Sequence, residues 1–156
     1  MRALVKDAPG PGATATTVAD PTPGRTDVLL RIEAASVCGT DREMHEWTPS
    51  AQAFGLSFPR VLGHEGVGTV LDVGADVTTV RPGDRVALES HLACGRCYPC
   101  RTGDGHDCAD MGILGMHLDG VFAEQVAAPE RICVPVPDAI PTEVGALLEQ
   151  IGRAHV

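Results

Sequence analysis

The sequence predicts a mainly β fold, a barrel or a sandwich made of short strands. Its 156 residues include 12 prolines and 18 glycines, which punctuate the whole chain. Between these breaks lie short runs with alternating or continuous apolar residues, and short strands separated by turn signals are typical of all-β barrels and sandwiches. The length corresponds to one domain that can bury a core without cross-links.

The individual elements follow from the same pattern. Six segments read as strands: residues 3–5, 27–37, 66–73, 85–88, 120–126 and 132–134. Residues 82–84, Pro-Gly-Asp, predict a turn, since Pro restricts φ and Gly permits the chain to reverse. A single helix is predicted over residues 143–149, with Thr142 as its N-terminal cap and Pro141 just before it.

Composition and charge exclude several function classes. The net charge of −9 would repel a nucleic-acid backbone, and aromatic residues, which serve as base-stacking platforms, make up only 3%. No apolar run reaches the roughly 18–20 residues that span a bilayer. Residues 1–7 lack the apolar stretch of a signal peptide. We therefore expect a cytoplasmic protein with neither a nucleic-acid nor a membrane partner.

Four of the six cysteines lie within fifteen residues, in the pattern C-x2-C-x2-C-x7-C. Four thiolates on one short loop can surround a tetrahedral Zn²⁺ with no open position, so such a site is structural. The loop has too few apolar residues to fold alone, and metal binding would supply that energy. An iron–sulfur cluster and a C-x-x-C redox pair are the alternatives. The residues are Cys94, Cys97, Cys100 and Cys108.

A second group of candidate ligands is spread over two motifs. Cys38 follows the longest predicted strand, and His64 and Glu65 precede the next one. A cysteine and a histidine at strand ends can be two ligands of a catalytic zinc. Each also has a plainer explanation, because cysteine packs as a small apolar residue and a lone histidine often only makes a hydrogen bond.

Several motifs together resemble one protein family, the zinc-dependent medium-chain alcohol dehydrogenases. Within that family the threonine dehydrogenases are most similar, although sorbitol and other polyol dehydrogenases share most of the same segments. The resemblance extends from residue 1 to about 149. The motifs that carry it are Cys38-Gly39-Thr40-Asp41 with Trp47, Gly63-His64-Glu65, Gly83-Asp84-Arg85-Val86, His91 with the four-cysteine loop, and Gly120-Val121-Phe122-Ala123-Glu124.

The resemblance implies a GroES-like, partly open β-barrel with a zinc-binding loop and few short helices. It implies a catalytic zinc at Cys38, His64 and Glu65, which Glu149 also approaches, besides the structural zinc of the four-cysteine loop. The open coordination position of the catalytic zinc distinguishes the two metals.

Other residues receive roles from the same resemblance. Thr40 corresponds to the hydroxyl that takes the substrate's proton. The family often places a histidine two residues after Asp41; here Glu43 stands there with His45 nearby, and either is a candidate for the proton relay. Trp47 and His91 are expected to contact the substrate.

The resemblance also implies that this chain is part of a longer enzyme. Residues 1–149 correspond to the N-terminal catalytic domain, whereas the Rossmann domain that binds NAD(P) is absent. We therefore expect no turnover from this chain alone, a small alcohol as substrate, and a homo-oligomeric full-length enzyme. Two alternatives remain: a zinc-stabilised GroES-like module without catalysis, and a thiol redox protein.

The last residues have a separate explanation. The family continues from Glu149 with Pro and a small-residue helix, but this chain ends with Gln150 and then Ile-Gly-Arg-Ala-His-Val. Those six residues are what a widely used sequencing adapter encodes in one frame. We expect residues 150–156 to be a non-native tail in place of the hinge. The alternative is that Ile-Gly-Arg-Ala-His-Val is native, since the family tolerates similar residues there.

Overall fold

The computed structural model describes residues 1–153, with side chains described up to residue 150. Within this range the protein is mainly β, as predicted. The strands are β1 (Arg2–Lys6), β2 (Thr14–Thr17), β3 (Asp27–Ala35), β4 (Arg60–Val61), β5 (Gly66–Val73), β6 (Arg85–Leu88), β7 (His91–Leu92), β8 (Gly112–Ile113), β9 (Gln125–Pro129) and β10 (Cys133–Pro135).

The strands form three sheets. The largest is antiparallel, with five strands in the order β10-β6-β5-β3-β9, the second has the order β2-β1-β4, and β7 pairs with β8. A bridge between Ala3 and Ala123 connects β1 to the segment that leads into β9. The two larger sheets are therefore joined through the chain that precedes the last long strand.

The described residues form five short α-helices: α1 (Gly39–Glu46) and α2 (Pro49–Ala53) between β3 and β4, α3 (Tyr98–Thr102) between β7 and β8, and α4 (Thr142–Gly145) and α5 (Leu148–Arg153) after β10. Helix α1 begins because Asp41 accepts the Cys38 backbone N–H at 2.9 Å, which is one half of a capping box. Helix α3 ends at Gly103, whose positive φ of 101° suits glycine. None of the helices in residues 1–153 is long and apolar enough to cross a membrane.

The main core lies on one face of the five-stranded sheet. Alternate residues of β3, Val28 and Leu30, are fully buried, and they pack with Val70 of β5 and Val86 of β6. Each such side chain contributes about 1.5–3 kcal/mol to folding when it leaves water. This core holds the central strands in register, and so it fixes the positions of their ends.

Three strand ends meet at one edge of this sheet. Ala35, the last residue of β3, pairs with Gly66, the first residue of β5, and Val67 pairs with Ala87 near the end of β6. The residues just after β3, just before β5 and just after β6 are therefore neighbours. These are the segments that carry Cys38, the His64–Glu65 pair and His91.

Several predicted elements match and others do not. Strands β5 and β6 have the predicted bounds, whereas the strand expected over residues 120–126 begins only at Gln125. The reason is that residues 120–122 hydrogen-bond instead to residues 61–63, before His64. Helices α1, α2 and α3 were not predicted, since short polar helices show little apolar periodicity.

The predicted C-terminal helix is wrong in two respects. It is divided into α4 and α5, and Pro141 rather than Thr142 precedes its first residue. Thr142 is instead the first residue of α4, and its hydroxyl accepts a hydrogen bond from Arg85 at 3.2 Å. The predicted tail, residues 150–156, falls partly in α5, and its last three residues lie outside the described part of the chain.

Gly120 shows how closely the chain packs behind His64. A Cβ atom at this position would lie 2.0 Å from the Gly63 carbonyl oxygen and 2.6 Å from that of Leu62. Gly120→Ala should therefore lower the free energy of unfolding by about 2–3 kcal/mol, as overpacking does. Thermal and urea unfolding measure this. Gly39→Ala is the control, because its Cβ would meet nothing within 4 Å; equal stability of the two variants would contradict the prediction.

Candidate functional site

The four-cysteine loop has the geometry of a closed zinc site. The four sulfur atoms lie within 4.8 Å of one another, with Cys94 Sγ 3.9 Å from Cys100 Sγ and Cys97 Sγ 3.9 Å from Cys108 Sγ. A tetrahedron with zinc–sulfur bonds of about 2.3 Å has sulfurs about 3.8 Å apart. A cluster of several metal ions would hold the sulfurs farther apart, so a single ion fits best.

Electrostatics of the loop also favour a cation. Hydrogen bonds from the backbone N–H groups of Arg96 and Cys97 lower the pKa of Cys94 to about 6. Desolvation, and then the neighbouring sulfur of Cys97, raise the pKa of Cys100 to about 12. Four thiols this close cannot all ionise without a cation to offset their charge. All six cysteines of the chain are free thiols, so no disulfide competes for these sulfurs.

The second group of ligands converges at the shared edge of the sheet. Ligand atoms of Cys38, His64 and Glu65 lie within 4.8 Å of one another. His64 and Glu65 are buried, whereas Cys38 is partly exposed. A thiolate, an imidazole and a carboxylate form a three-ligand set that leaves one position for an exchangeable ligand, which is the arrangement of catalytic zinc sites. The residues therefore fit the metal that the sequence predicts.

Asp41 orients the histidine. Its Oδ1 lies 3.4 Å from His64 Nδ1, and its Oδ2 accepts the Cys38 backbone N–H. Burial lowers the pKa of His64, but hydrogen bonding and charge from Asp41, and then from Cys38, outweigh burial and raise it to about 9. A carboxylate at Nδ1 directs Nε2 towards a metal, because it stabilises the tautomer with the proton on Nδ1.

Glu65 is held by two donors. Its Oε2 accepts the Ser36 hydroxyl, and its Oε1 accepts the Gln150 side-chain amide at 2.6 Å. Burial raises the pKa of Glu65, but these hydrogen bonds outweigh it and leave the pKa below its ordinary value. The same amide lies 3.5 Å from Cys38 Sγ. Glu65 is therefore an ionised carboxylate whose Oε1 faces the other two ligands.

A cavity of about 160 Å³ opens beside these ligands. Cys38, Thr40 and His64 line it from one side, and Thr40 Oγ1 lies 3.7 Å from Cys38 Sγ. The remaining wall is partly apolar and comprises Phe54, Ser90, His91, Ile113, Met116, Glu149 and Gln150. Its size suits a small organic molecule of about ten non-hydrogen atoms at most.

Glu149 lies in this cavity wall but in a different cluster from the one predicted. A carboxylate oxygen of Glu149 lies within 4.8 Å of a carboxylate oxygen of Glu89 and of a ring nitrogen of His91. Its Oε1 accepts a hydrogen bond from the Ser90 hydroxyl at 2.8 Å. His91 Nδ1 lies 2.6 Å from Glu89 Oε1. Ligation of the catalytic metal by Glu149 therefore stays a prediction, while its position beside the Cys38 cluster is clear.

Three predicted residues lie outside the cavity wall. His45 is exposed on α1, and Glu43 contributes its backbone carbonyl to the end of that helix. Trp47 packs edge-on against Phe58, with 5.5 Å between the ring centroids. The Lys6 Nζ lies 4.9 Å from the centroid of the Trp47 ring. The relay roles of Glu43 and His45 and the substrate role of Trp47 stay predictions, and Trp47 has a clear packing function.

Three further residues belong to this site, although the sequence predicted no role for them. Asp41 had a usable signal, because an acidic residue three positions after a helix cap marks a capping box. Ser36 and Ser90 had none, since each acts through a partner distant in sequence: Glu65 for Ser36 and Glu149 for Ser90.

Comparison with known proteins identifies one family. Residues 24–138 match the alcohol dehydrogenase GroES-like domain. The L-threonine 3-dehydrogenase of Pyrococcus horikoshii is 40% identical over 154 residues, which cover 99% of this chain and 44% of that protein. The chain therefore spans less than half the length of the curated relatives it matches.

Solved structures show the same fold. Galactitol-1-phosphate dehydrogenase from Escherichia coli superposes with a TM-score of 0.85 and 29% identity, over 97% of this chain and 42% of that one. An alcohol dehydrogenase from Escherichia coli CFT073, solved with NADH, superposes with a TM-score of 0.83 and 29% identity, over 96% of this chain and 42% of that one. These matches confirm the predicted GroES-like fold.

The four-cysteine loop should lose its metal when one thiolate is removed. Cys97→Ser or Cys100→Ser should leave one zinc per chain and lower the melting temperature, because three sulfurs no longer close the tetrahedron. Elemental analysis and calorimetry measure both. Cys133→Ala is the control and should retain two zincs, since Cys133 is buried and its Sγ contacts the Pro129 carbonyl oxygen. Unchanged zinc content in Cys97→Ser would refute the assignment.

Proposed function

This chain belongs to the alcohol dehydrogenase GroES-like family, and on that premise we propose that it forms the catalytic domain of a zinc-dependent dehydrogenase. The longer enzyme would oxidise a secondary alcohol to a ketone with NAD(P), and L-threonine is the substrate we favour. The relatives covering 99% of the chain are threonine dehydrogenases by name, which supports that choice.

One observation carries the proposal: Cys38, His64 and Glu65 converge within 4.8 Å beside a cavity that also contains Thr40 and His91. A purely structural zinc site has no use for an open ligand position or an adjoining cavity. A zinc ion held there supplies a Lewis acid that favours loss of the substrate hydroxyl proton.

Side chains of this chain would bind the substrate hydroxyl, orient the metal ligands and exclude water. Thr40, at the cavity wall, accepts a hydrogen bond from the substrate hydroxyl at Oγ1. When that proton transfers to Oγ1, the threonine's own hydroxyl proton passes to the next acceptor of the relay. Asp41 keeps the imidazole of His64 in one orientation. The apolar side chains of Phe54, Ile113 and Met116 exclude water from the site, which strengthens each polar interaction inside it.

Hydride transfer needs an acceptor from outside this chain. We propose that residues 1–149 are the catalytic domain, that residues 150–156 stand in place of a native hinge, and that a separate dinucleotide-binding domain of the longer protein brings NAD(P) to the cavity. We further propose one catalytic and one structural zinc per chain and a homo-oligomeric enzyme. Cysteine ligands of zinc stay reduced in a reducing compartment, and so we place the enzyme in the cytoplasm.

A polyol or sugar-derived alcohol is the second candidate substrate. The similarity to galactitol-1-phosphate dehydrogenase, with a TM-score of 0.85, favours it. The cavity of about 160 Å³ supports the smaller substrate, because a six-carbon phosphorylated polyol is about twice the size of threonine. The smaller substrate fits the described walls better.

Zinc should leave the two sites at different rates. The four-sulfur site is closed, whereas the Cys38 site has three protein ligands and borders a cavity, so a chelator should remove its metal faster. We expect biphasic zinc release, with the fast phase abolished in Cys38→Ala and the slow phase unchanged. A single phase, or a fast phase that persists in Cys38→Ala, would contradict the catalytic metal site.

His91 should contribute to recognition of an amino acid substrate. In the full-length enzyme that carries this chain, His91→Ala should raise KM for L-threonine about tenfold and KM for 2-butanol less than twofold, through loss of a polar contact. His106→Ala is the matched control, since His106 is exposed in the zinc loop, next to Asp107. Equal changes for both substrates would refute a recognition role for His91.

A further inference from the structure

Ser36 lies at the junction between the metal ligands and the C-terminal segment. It follows the last residue of β3 and precedes Cys38 by two positions. Its hydroxyl contacts two acceptors, Glu65 Oε2 and the Ala146 carbonyl oxygen, the latter at 3.2 Å. Its backbone N–H donates to the Glu65 carbonyl oxygen at 3.1 Å. Ser36 and Glu65 are thus joined through both main chain and side chain.

Glu65 needs such a partner. Its side chain is only 1% exposed, and a buried carboxylate is stable only when donors satisfy its oxygens. The donor to Oε1 is Gln150, an exposed residue with a long, rotatable side chain. The donor to Oε2 is a short hydroxyl fixed to the end of a strand. Of the two donors, Ser36 therefore determines the orientation of the carboxylate.

That orientation decides which oxygen faces the metal ligands. With Oε2 bound to Ser36, Oε1 lies 3.7 Å from His64 Nε2. A carboxylate anchored by one oxygen offers a metal the other oxygen alone. Without the anchor, Glu65 could rotate, bind through both oxygens or turn away, and it would compete with the substrate for the open position.

We propose that Ser36 is the positioning residue of the catalytic metal site, which presents Glu65 as a ligand through a single oxygen. The inference rests on the proposed function, since it assumes zinc at Cys38, His64 and Glu65. The contact with Ala146 extends this role, because Ala146 precedes Glu149 by three residues. One hydroxyl thereby links the orientation of Glu65 to the segment that carries the other candidate carboxylate.

The experiment compares Ser36→Ala, Ser36→Thr and the control Ser50→Ala, whose side chain is exposed on α2. Zinc first fills the four-cysteine site, and Co²⁺ then fills the Cys38 site for visible absorption spectroscopy. Chelator competition measures the zinc affinity of the same site. Loss of a residue that orients a metal ligand lowers affinity about 10–100-fold. We expect a tenfold loss and an altered cobalt spectrum in Ser36→Ala, with both restored in Ser36→Thr.

A double-mutant cycle tests whether Ser36 acts through Glu65. In a Glu65→Gln background, Ser36→Ala should change zinc affinity less than twofold, because the carboxylate that Ser36 orients is gone. Retention of zinc in the four-cysteine site reports that each variant is folded. Ser36→Ala with wild-type affinity and spectrum would overturn the inference, and so would an undiminished loss in the Glu65→Gln background.

The outcome separates this inference from the proposed function. Biphasic zinc release from the wild-type chain, with no effect of Ser36→Ala, would refute only the role of Ser36. A wild-type chain that binds a single zinc, unaffected by Cys38→Ala, would refute the catalytic site and with it this inference.

Discussion

The antiparallel pairing of β3 with β5 is the constraint on which the candidate active site depends. Because Ala35 pairs with Gly66, the residues that follow β3 must meet those that precede β5. Cys38 thereby reaches His64 and Glu65, which are 26 and 27 residues away along the chain. The register is stable because one face of each strand is buried, and a shift by one residue would expose that whole face. Core packing therefore fixes the distances among the metal ligands.

The two candidate zinc sites obtain their ligands in opposite ways. The four sulfurs of the loop lie within fifteen residues and depend on one another's charge, so local sequence nearly suffices to build the site. The Cys38 site takes its ligands from two strand ends and its orienting groups from α1 and Ser36. A closed set of four thiolates stabilises a fold, whereas three mixed ligands beside a cavity leave room for chemistry.

The C-terminal segment contributes directly to the candidate functional site. Ala146 contacts Ser36, Glu149 accepts a hydrogen bond from Ser90, and Gln150 contacts both Glu65 and Cys38. Movement of this segment would therefore change the surroundings of the candidate metal ligands.

The sequence by itself determined the β class, the bounds of β5 and β6 and the family, and it singled out both groups of candidate ligands, because strand patterning, turn residues and motif spacing are local signals. It did not determine α1, the division of the C-terminal helix or the partners of Glu65 and Glu149. Those depend on groups brought from distant parts of the chain. Arg85 donates a hydrogen bond to Thr142 in α4, Ser36 donates one to Glu65, and Ser90 donates one to Glu149. Only the tertiary structure decides such contacts, because a hydrogen bond between residues far apart in sequence leaves no periodic or compositional trace.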